Sequence, residues 1–476
     1  MHTIAATDRE TLLASLGAWF DGGGFERDLA RRVAWQTESD TGAPGAALEG
    51  YLREEMLPAL SAMGFDCEIA ANPDPRGGPF LLARRVEDAG LPTVLGYGHG
   101  DVVNGHVGRW REGLDPWRMT VEDGRWYGRG TADNKGQHSI NLAALAHTIQ
   151  ARGGRLGYNT TLLLEMGEEA GSPGLHAFCG QRREALRAQL FLASDGPRVN
   201  AARPTLFLGS RGAVNFSLRV QSRDRAFHSG NWGGVLANPA VVLSHALACL
   251  IGARGRILVP GLRPATLPAE VREALAGIEA GGDRDDPAID AHWGEPGLTP
   301  IEKLVGWNTL EILAMESGSP QRPVNAIPPS AVAHCQLRFV VGTPWQDLAA
   351  LVRAHLDAAG FPMVEIEVSA GAAATRLDLR SPWVAWARRS LERSTHQPAT
   401  VLPNLAGSLP NDVFADLLGL PTLWVPHSYP ACAQHAPNEH LLASVAREGL
   451  QVMAGLYWDL GEADSPFFQT NGDRHD

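Results

Sequence analysis

Gly98-His99-Gly100-Asp101-Val102 and Gly128-Arg129-Gly130-Thr131-Ala132-Asp133-Asn134-Lys135-Gly136 decide how this chain reads. The first follows an apolar, β-branched run, Pro92-Thr93-Val94-Leu95-Gly96-Tyr97, which predicts a buried strand with His99 at its C-terminal end. Asp101, two residues on, is placed to accept the N–H of the His99 ring nitrogen that faces away from a metal, which fixes the tautomer and raises ligand basicity. Asp133 falls in a Gly-rich turn before a helical pattern over 136–149. Helix N-terminal amides there can hold a carboxylate with both oxygens free for metals.

The arrangement recurs further on. A strand over 160–164 runs into Glu165-Met166-Gly167-Glu168-Glu169-Ala170-Gly171-Ser172, and another over 188–193 ends at Ser194-Asp195-Gly196-Pro197. Three apolar strands thus each release a His, Glu or Asp at the C-terminal edge, where open α/β sheets bind ligands. A last strand over 421–425 leads to Gln434-His435-Ala436-Pro437-Asn438-Glu439, with a helix at about 441–456. Five nitrogen and oxygen donors, His99, Asp133, one of Glu168 and Glu169, Asp195 and His435, suit two divalent metals, and zinc takes both donor types. Adjacent Glu168 and Glu169 cannot easily both ligate from an extended loop, so one is expected to be free.

The segments GHGDVV, GRGTADNKG, GEEAGS, SDGP and QHAPNE, in this order, resemble the M20 family of zinc metallopeptidases. The resemblance extends from about Leu91 to the helix after His435. It implies an α/β fold: a mixed, largely parallel sheet flanked by helices, interrupted by an inserted α+β lid or dimerisation domain. It assigns His99 and Asp195 to one Zn2+, Glu169 and His435 to the other, and Asp133 to both, with Mn2+ or Co2+ as possible replacements. It makes Glu168 the general base, with Asp101 orienting His99. His228, in Phe227-His228-Ser229-Gly230-Asn231-Trp232-Gly233-Gly234, matches a histidine that reaches the partner subunit's site in a homodimer and stabilises the tetrahedral oxyanion. Asn325, Arg338 and the Gly407-Ser408 loop are the expected substrate contacts, Arg338 because a guanidinium pairs bidentately with a carboxylate.

Composition sets the outer bounds. At 476 residues the chain is too long for one core. The domains expected are residues 1–210 and 376–476 as two parts of a catalytic domain, with 211–375 as the lid. The lid reading rests on alternating strands at 213–220, 331–341 and 364–368, with helices from 238 to 250 and 346 to 358 between them. A net charge of −12 argues against a nucleic-acid partner. No apolar run reaches the roughly 20 residues of a membrane span, and residues 1–8 lack a signal-peptide pattern, so a cytoplasmic enzyme is expected. The five cysteines are scattered, without a CxxC pair, which argues against a disulfide framework or a cysteine zinc site. Histidines 138 and 147 match no family ligand and read as ordinary core or surface residues. The polar tail from 462 is expected to be loose.

The expected function is a dinuclear zinc hydrolase acting on dipeptides or small peptides with a free C-terminal carboxylate. HSGNWGG and Ala406-Gly407-Ser408-Leu409-Pro410 resemble the carnosinase-type dipeptidase branch. Arg338-Phe339-Val340-Val341 and Asn404-Leu405-Ala406 depart from that branch where substrate ends would be read. The alternative is an N-acyl-amino-acid deacylase. A non-catalytic protein on the same fold would have lost a ligand or the base, and here all six positions are filled.

Overall fold

In the computed structural model the described residues are 8–39, 45–282 and 286–469. The first half of the chain supplies strands β1 (Asp66–Ala70), β2 (Phe80–Arg85), β3 (Thr93–His99), β4 (Asn159–Glu165), β5 (Leu190–Ala193) and β6 (Thr205–Phe207). Then come β7 (Gly212–Gln221), β8 (Thr309–Ser317), β9 (Ser330–Phe339) and β10 (Glu365–Ala372), and finally β11 (Thr400–Leu402) and β12 (Thr422–Trp424). The large sheet has the order β1-β2-β4-β3-β5-β12-β6-β11. Pairings β4–β3, β3–β5, β5–β12 and β6–β11 are parallel, and β1–β2, β2–β4 and β12–β6 antiparallel. The mixed, mostly parallel sheet expected from the sequence is therefore present.

All seven residues of β4 are buried, as befits a strand covered on both faces. Alternation sorts its side chains. Leu162 and Leu164 join Val94, Leu190 and Leu192 against helices Lys135–Ala151 and Ala443–Leu460. Leu163 joins Leu95, Tyr97, Phe191 and Phe207 on the other face. Leu267, Val271, Leu275, Ile301, Val305 and Trp307 pack into that second core, so part of the stretch 211–375 returns to the large sheet.

The smaller sheet, β8-β9-β7-β10, is antiparallel throughout. Val214, Phe216, Leu218 and Val220 of β7 alternate inward, with Ala331, Ala333, Cys335, Leu337 and Phe339 of β9, to meet helices Pro239–Leu250 and Leu348–Ala358. Chain entry and exit adjoin: Thr375 N–H donates to the Ser210 carbonyl at 3.0 Å, and Leu377 N–H to that of Leu208 at 2.7 Å.

One expectation needs correction. The tail is not loose through 469, because Phe467 packs edge-on against Trp383 at 5.0 Å; residues 470–476, like residues 1–7, lie outside the described residues. Helix Gly24–Val33 and strand β8 were not foreseen. No helix among the described residues is long and apolar enough to cross a membrane.

Candidate metal centre

Strands β3, β4 and β5 run parallel, so their C-terminal ends share one edge of the sheet. His99 is the last residue of β3, the Glu168–Ala170 turn follows β4, and Asp195 follows β5. Asp133 precedes helix Lys135–Ala151. These side chains converge. His99 Nε2 lies 3.1 Å from Asp133 Oδ1 and 3.5 Å from Asp195 Oδ2. His435 Nε2 lies 3.0 Å from Asp133 Oδ2 and 3.1 Å from Glu169 Oε2. The donors form two groups, His99-Asp133-Asp195 and Asp133-Glu169-His435, with Asp133 in both. His99 is fully buried, whereas the His435 side chain is 51% exposed, so the centre opens to solvent on the His435 side.

Electrostatics make this cluster a demand for cations. Burial pushes the carboxyls of Glu168 and Asp195 up, and that of Glu169 to about 7. Burial alone would also raise Asp133, but the imidazoles of His435 and His99 outweigh it and hold it well below the usual range. Burial would lower His99, yet the carboxylates of Asp101, Asp133 and Asp195 keep it well above an ordinary imidazole. Hydrogen bonds to Asp133 and Glu169 push His435 to about 11. Buried Glu169 Oε1 and Asp195 Oδ2 have no hydrogen-bond partner. Oxygen and imidazole donors of this kind, two of the oxygens orphaned, fit divalent metal ions.

The remaining expected residues fall as follows. Glu168 stands beside the first group, its Oε2 at 3.9 Å from His99 Nε2. Asp101 contacts His99 in two ways: Nδ1 is 3.1 Å from the Asp101 carbonyl and 3.4 Å from its Oδ1. The Asp101 carboxylate also accepts the backbone N–H groups of Glu168 and Glu169, both at 3.1 Å, and the Ser39 hydroxyl at 2.7 Å. It therefore anchors the turn that carries Glu168 and Glu169. The amides before helix Lys135–Ala151 do not hold Asp133, as the sequence suggested. Those of Gly130, Ala132 and Asp133 point at Glu439 instead.

Away from the cluster, Arg338 on β9 donates to Ser408 Oγ at 3.2 Å, which joins the small sheet to the 407–408 loop. Arg211, just before β7, holds the same loop through the Ala406 carbonyl at 2.6 Å. Burial, followed by the neighbouring Arg338 charge, brings Arg211 down to about 10. His228 and Asn325 are exposed neighbours on the ribbon formed by Phe227–His228 and Ala326–Ile327, outside both ligand groups. His228 Nδ1 accepts from Gly230 N–H at 3.1 Å, which leaves Nε2 to carry the proton. His138 is bound to Tyr51 and Asn134 inside the core, as an ordinary core histidine.

Sequence reasoning missed Gln434, which donates to Asp133 Oδ2, and Arg211. It also gave no warning that Ala433, His435 and Asn438 adopt the left-handed backbone region, with φ of 57°, 62° and 68°. Such conformations persist where surroundings over-determine them; here Asn438 Oδ1 is fixed by Arg111 N–H at 2.8 Å.

Comparison with known proteins gives one family. Residues 95–459 match the sequence pattern of Peptidase family M20/M25/M40. Beta-Ala-His dipeptidase of Mus musculus is 36% identical over 187 residues, 39% of this chain and 37% of that protein. Cysteinylglycine-S-conjugate dipeptidase of Corynebacterium striatum is 28% identical over 323 residues, 65% of this chain and 67% of that protein. The match thus spans well under half of the mouse relative. Human carnosine dipeptidase 1 superposes with a TM-score of 0.77 at 22% identity, covering 95% of this chain and 98% of that one. The M20 family metallo-carboxypeptidase Sso-CP2 from Sulfolobus solfataricus gives 0.78 at 23% identity, covering 92% and 99%. At these identities the two structures speak for the fold.

Proposed function

This chain belongs to Peptidase family M20/M25/M40, and from that premise we propose that it is a dinuclear zinc hydrolase. Its substrates would be dipeptides or small peptides with a free C-terminal carboxylate. The observation that carries the reading is the pair of three-donor groups sharing Asp133, with Glu168 beside them. The names of the dipeptidase relatives supply the substrate class.

In this reading His99 and Asp195 would hold one ion, Glu169 and His435 the other, and Asp133 both. Bound there, the ions would supply a Lewis acid for the substrate carbonyl and a lowered pKa for the attacking water. Glu168 takes the proton of that water and hands it to the leaving amine. Its place beside the first donor group, 3.9 Å from His99 Nε2, suits that proton transfer. Asp101 keeps Glu168 in reach by gripping its backbone N–H. Arg338 and Ser408, with Arg211 adding positive charge behind them, receive the substrate carboxylate. Asn325, next to His228 at the ribbon, would contact substrate together with it.

The test is a turnover panel on metal-stripped and zinc-restored enzyme, comparing free dipeptides, N-acetyl amino acids and N-carbamoyl amino acids. Chelation should abolish amide hydrolysis, zinc should restore it, and dipeptides should be the best substrates. Full activity without metal sinks the reading; preference for N-acetyl substrates replaces it with a deacylase.

The small sheet β8-β9-β7-β10 with its helices, within the stretch 211–375, would act as lid and as the contact of a homodimer. Edge strand β8 supports this, since it exposes Ile312, Leu313 and Met315 and leaves one side of its backbone unpaired in the sheet. The free Nε2–H of His228 would then face the developing oxyanion in the partner's site. Losing one such donor costs about 10²–10³ in turnover, so His228→Ala should lower kcat by that factor with metals intact. Mixing it with Glu168→Gln puts both lesions in one site of a hybrid dimer and none in the other. Activity should therefore reappear on subunit exchange, and proven exchange without recovery removes His228 from action in trans.

A further inference from the structure

We propose that Glu439 is a positioning residue for Asp133, the carboxylate common to both ligand groups; the inference rests on the metal centre proposed above. Glu439 is 1% exposed. Its Oε1 accepts three backbone N–H groups, from Gly130 at 3.1 Å, Ala132 at 2.9 Å and Asp133 at 3.1 Å. Its Oε2 receives Arg129 Nη1 at 2.5 Å, and its own carbonyl receives Gly128 N–H at 3.1 Å. Arg129 in turn donates to the Asn104 carbonyl through Nε at 3.2 Å and Nη2 at 2.9 Å, and lies over the Trp110 ring. One residue thus collects most of the donors of the 128–133 turn.

The physical consequence concerns where the Asp133 side chain points. Converging amides at a helix start form a concavity that attracts an anion, and the nearest alternative anion is the Asp133 carboxylate itself. With Glu439 in that concavity, both Asp133 oxygens are left to face His99 and His435. Glu439 also lies four residues after His435, in the segment with left-handed residues 433, 435 and 438. The same carboxylate therefore ties together the two chain segments, 128–133 and 435–439, that must meet at the shared ligand.

Glu439→Gln tests this, because the amide cannot accept from the three backbone N–H groups and from Arg129 at once. Metal affinity, measured by competition with a chromophoric chelator, should weaken by about 10–100-fold, the usual effect of losing a partner behind the ligands. The visible absorption of the cobalt-substituted protein should shift, while KM at saturating metal stays put. Arg129→Lys keeps the three amide bonds and should leave affinity and spectrum near wild type. Wild-type affinity and spectrum in Glu439→Gln overturn the proposal, as does equal loss in both variants, which would assign the effect to the buried ion pair. Should Glu439→Gln fail to fold, hydrogen exchange on the metal-free wild type decides. Slow exchange at Gly130, Ala132 and Asp133 supports a preset turn, and exchange as fast as in an open loop overturns it. If the wild type itself binds no ions, the metal-centre reading falls along with this one; if it binds them and Glu439→Gln binds them equally, this one falls alone.

Discussion

Asp133→Ala is expected to lose both metal ions and all turnover above that of the chelated enzyme. Its two oxygens serve different groups, Oδ1 toward His99 and Oδ2 toward His435. Without it each group keeps only two donors, Asp195 with His99 and Glu169 with His435. Two donors are one fewer than the three protein ligands typical of a catalytic zinc site. Asp195→Ala and Glu169→Ala each strip one group only, so they should leave about one ion per chain. Elemental analysis after dialysis separates these outcomes, with circular dichroism checking that the fold survives. Retention of either ion by Asp133→Ala would show that it is not the shared ligand.

Glu168→Gln should behave in the opposite way: metal content near wild type and kcat lower by about 10²–10⁴-fold, the usual worth of a general acid–base group. The amide has nearly the shape of the carboxyl, and the backbone N–H that Asp101 holds is untouched. The turn should therefore stay in place, Glu169 should keep its position 3.1 Å from His435, and substrate affinity should change little. Only the proton acceptor is gone. If metal leaves together with activity, Glu168 and Glu169 have exchanged roles.

The parts of this protein legible in its sequence are those where a local pattern has one structural outcome. An apolar run that leads into a His or an acid reads as a buried strand with its end at the sheet edge, and β3, β4 and β5 obey it. The alternation of 213–220 and 331–339 likewise appears in β7 and β9. Contacts between distant segments left no such trace. Glu439 reaches the 130–133 amides across some 300 positions, and a carboxylate after His435 looks like any other acid. Strand β8 carries Leu310, Glu311, Leu313, Ala314, Met315 and Glu316, residues that favour a helix in isolation, so pairing with β9 overrides local preference. Segment 267–307 sits within the stretch expected to form the lid, yet its apolar side chains join the second core of the large sheet. Nothing in its own pattern says which of two cores it serves.

The unequal cover over the two imidazoles, none of His99 exposed and half of His435, has a kinetic meaning. Two ions held by similar donors would not share one residence time. An ion held on the His435 side would meet water and competing ligands directly, so it would leave and return sooner than one held by buried His99. Dilution would then empty the protein in order and pass it through a half-loaded form still holding the inner ion.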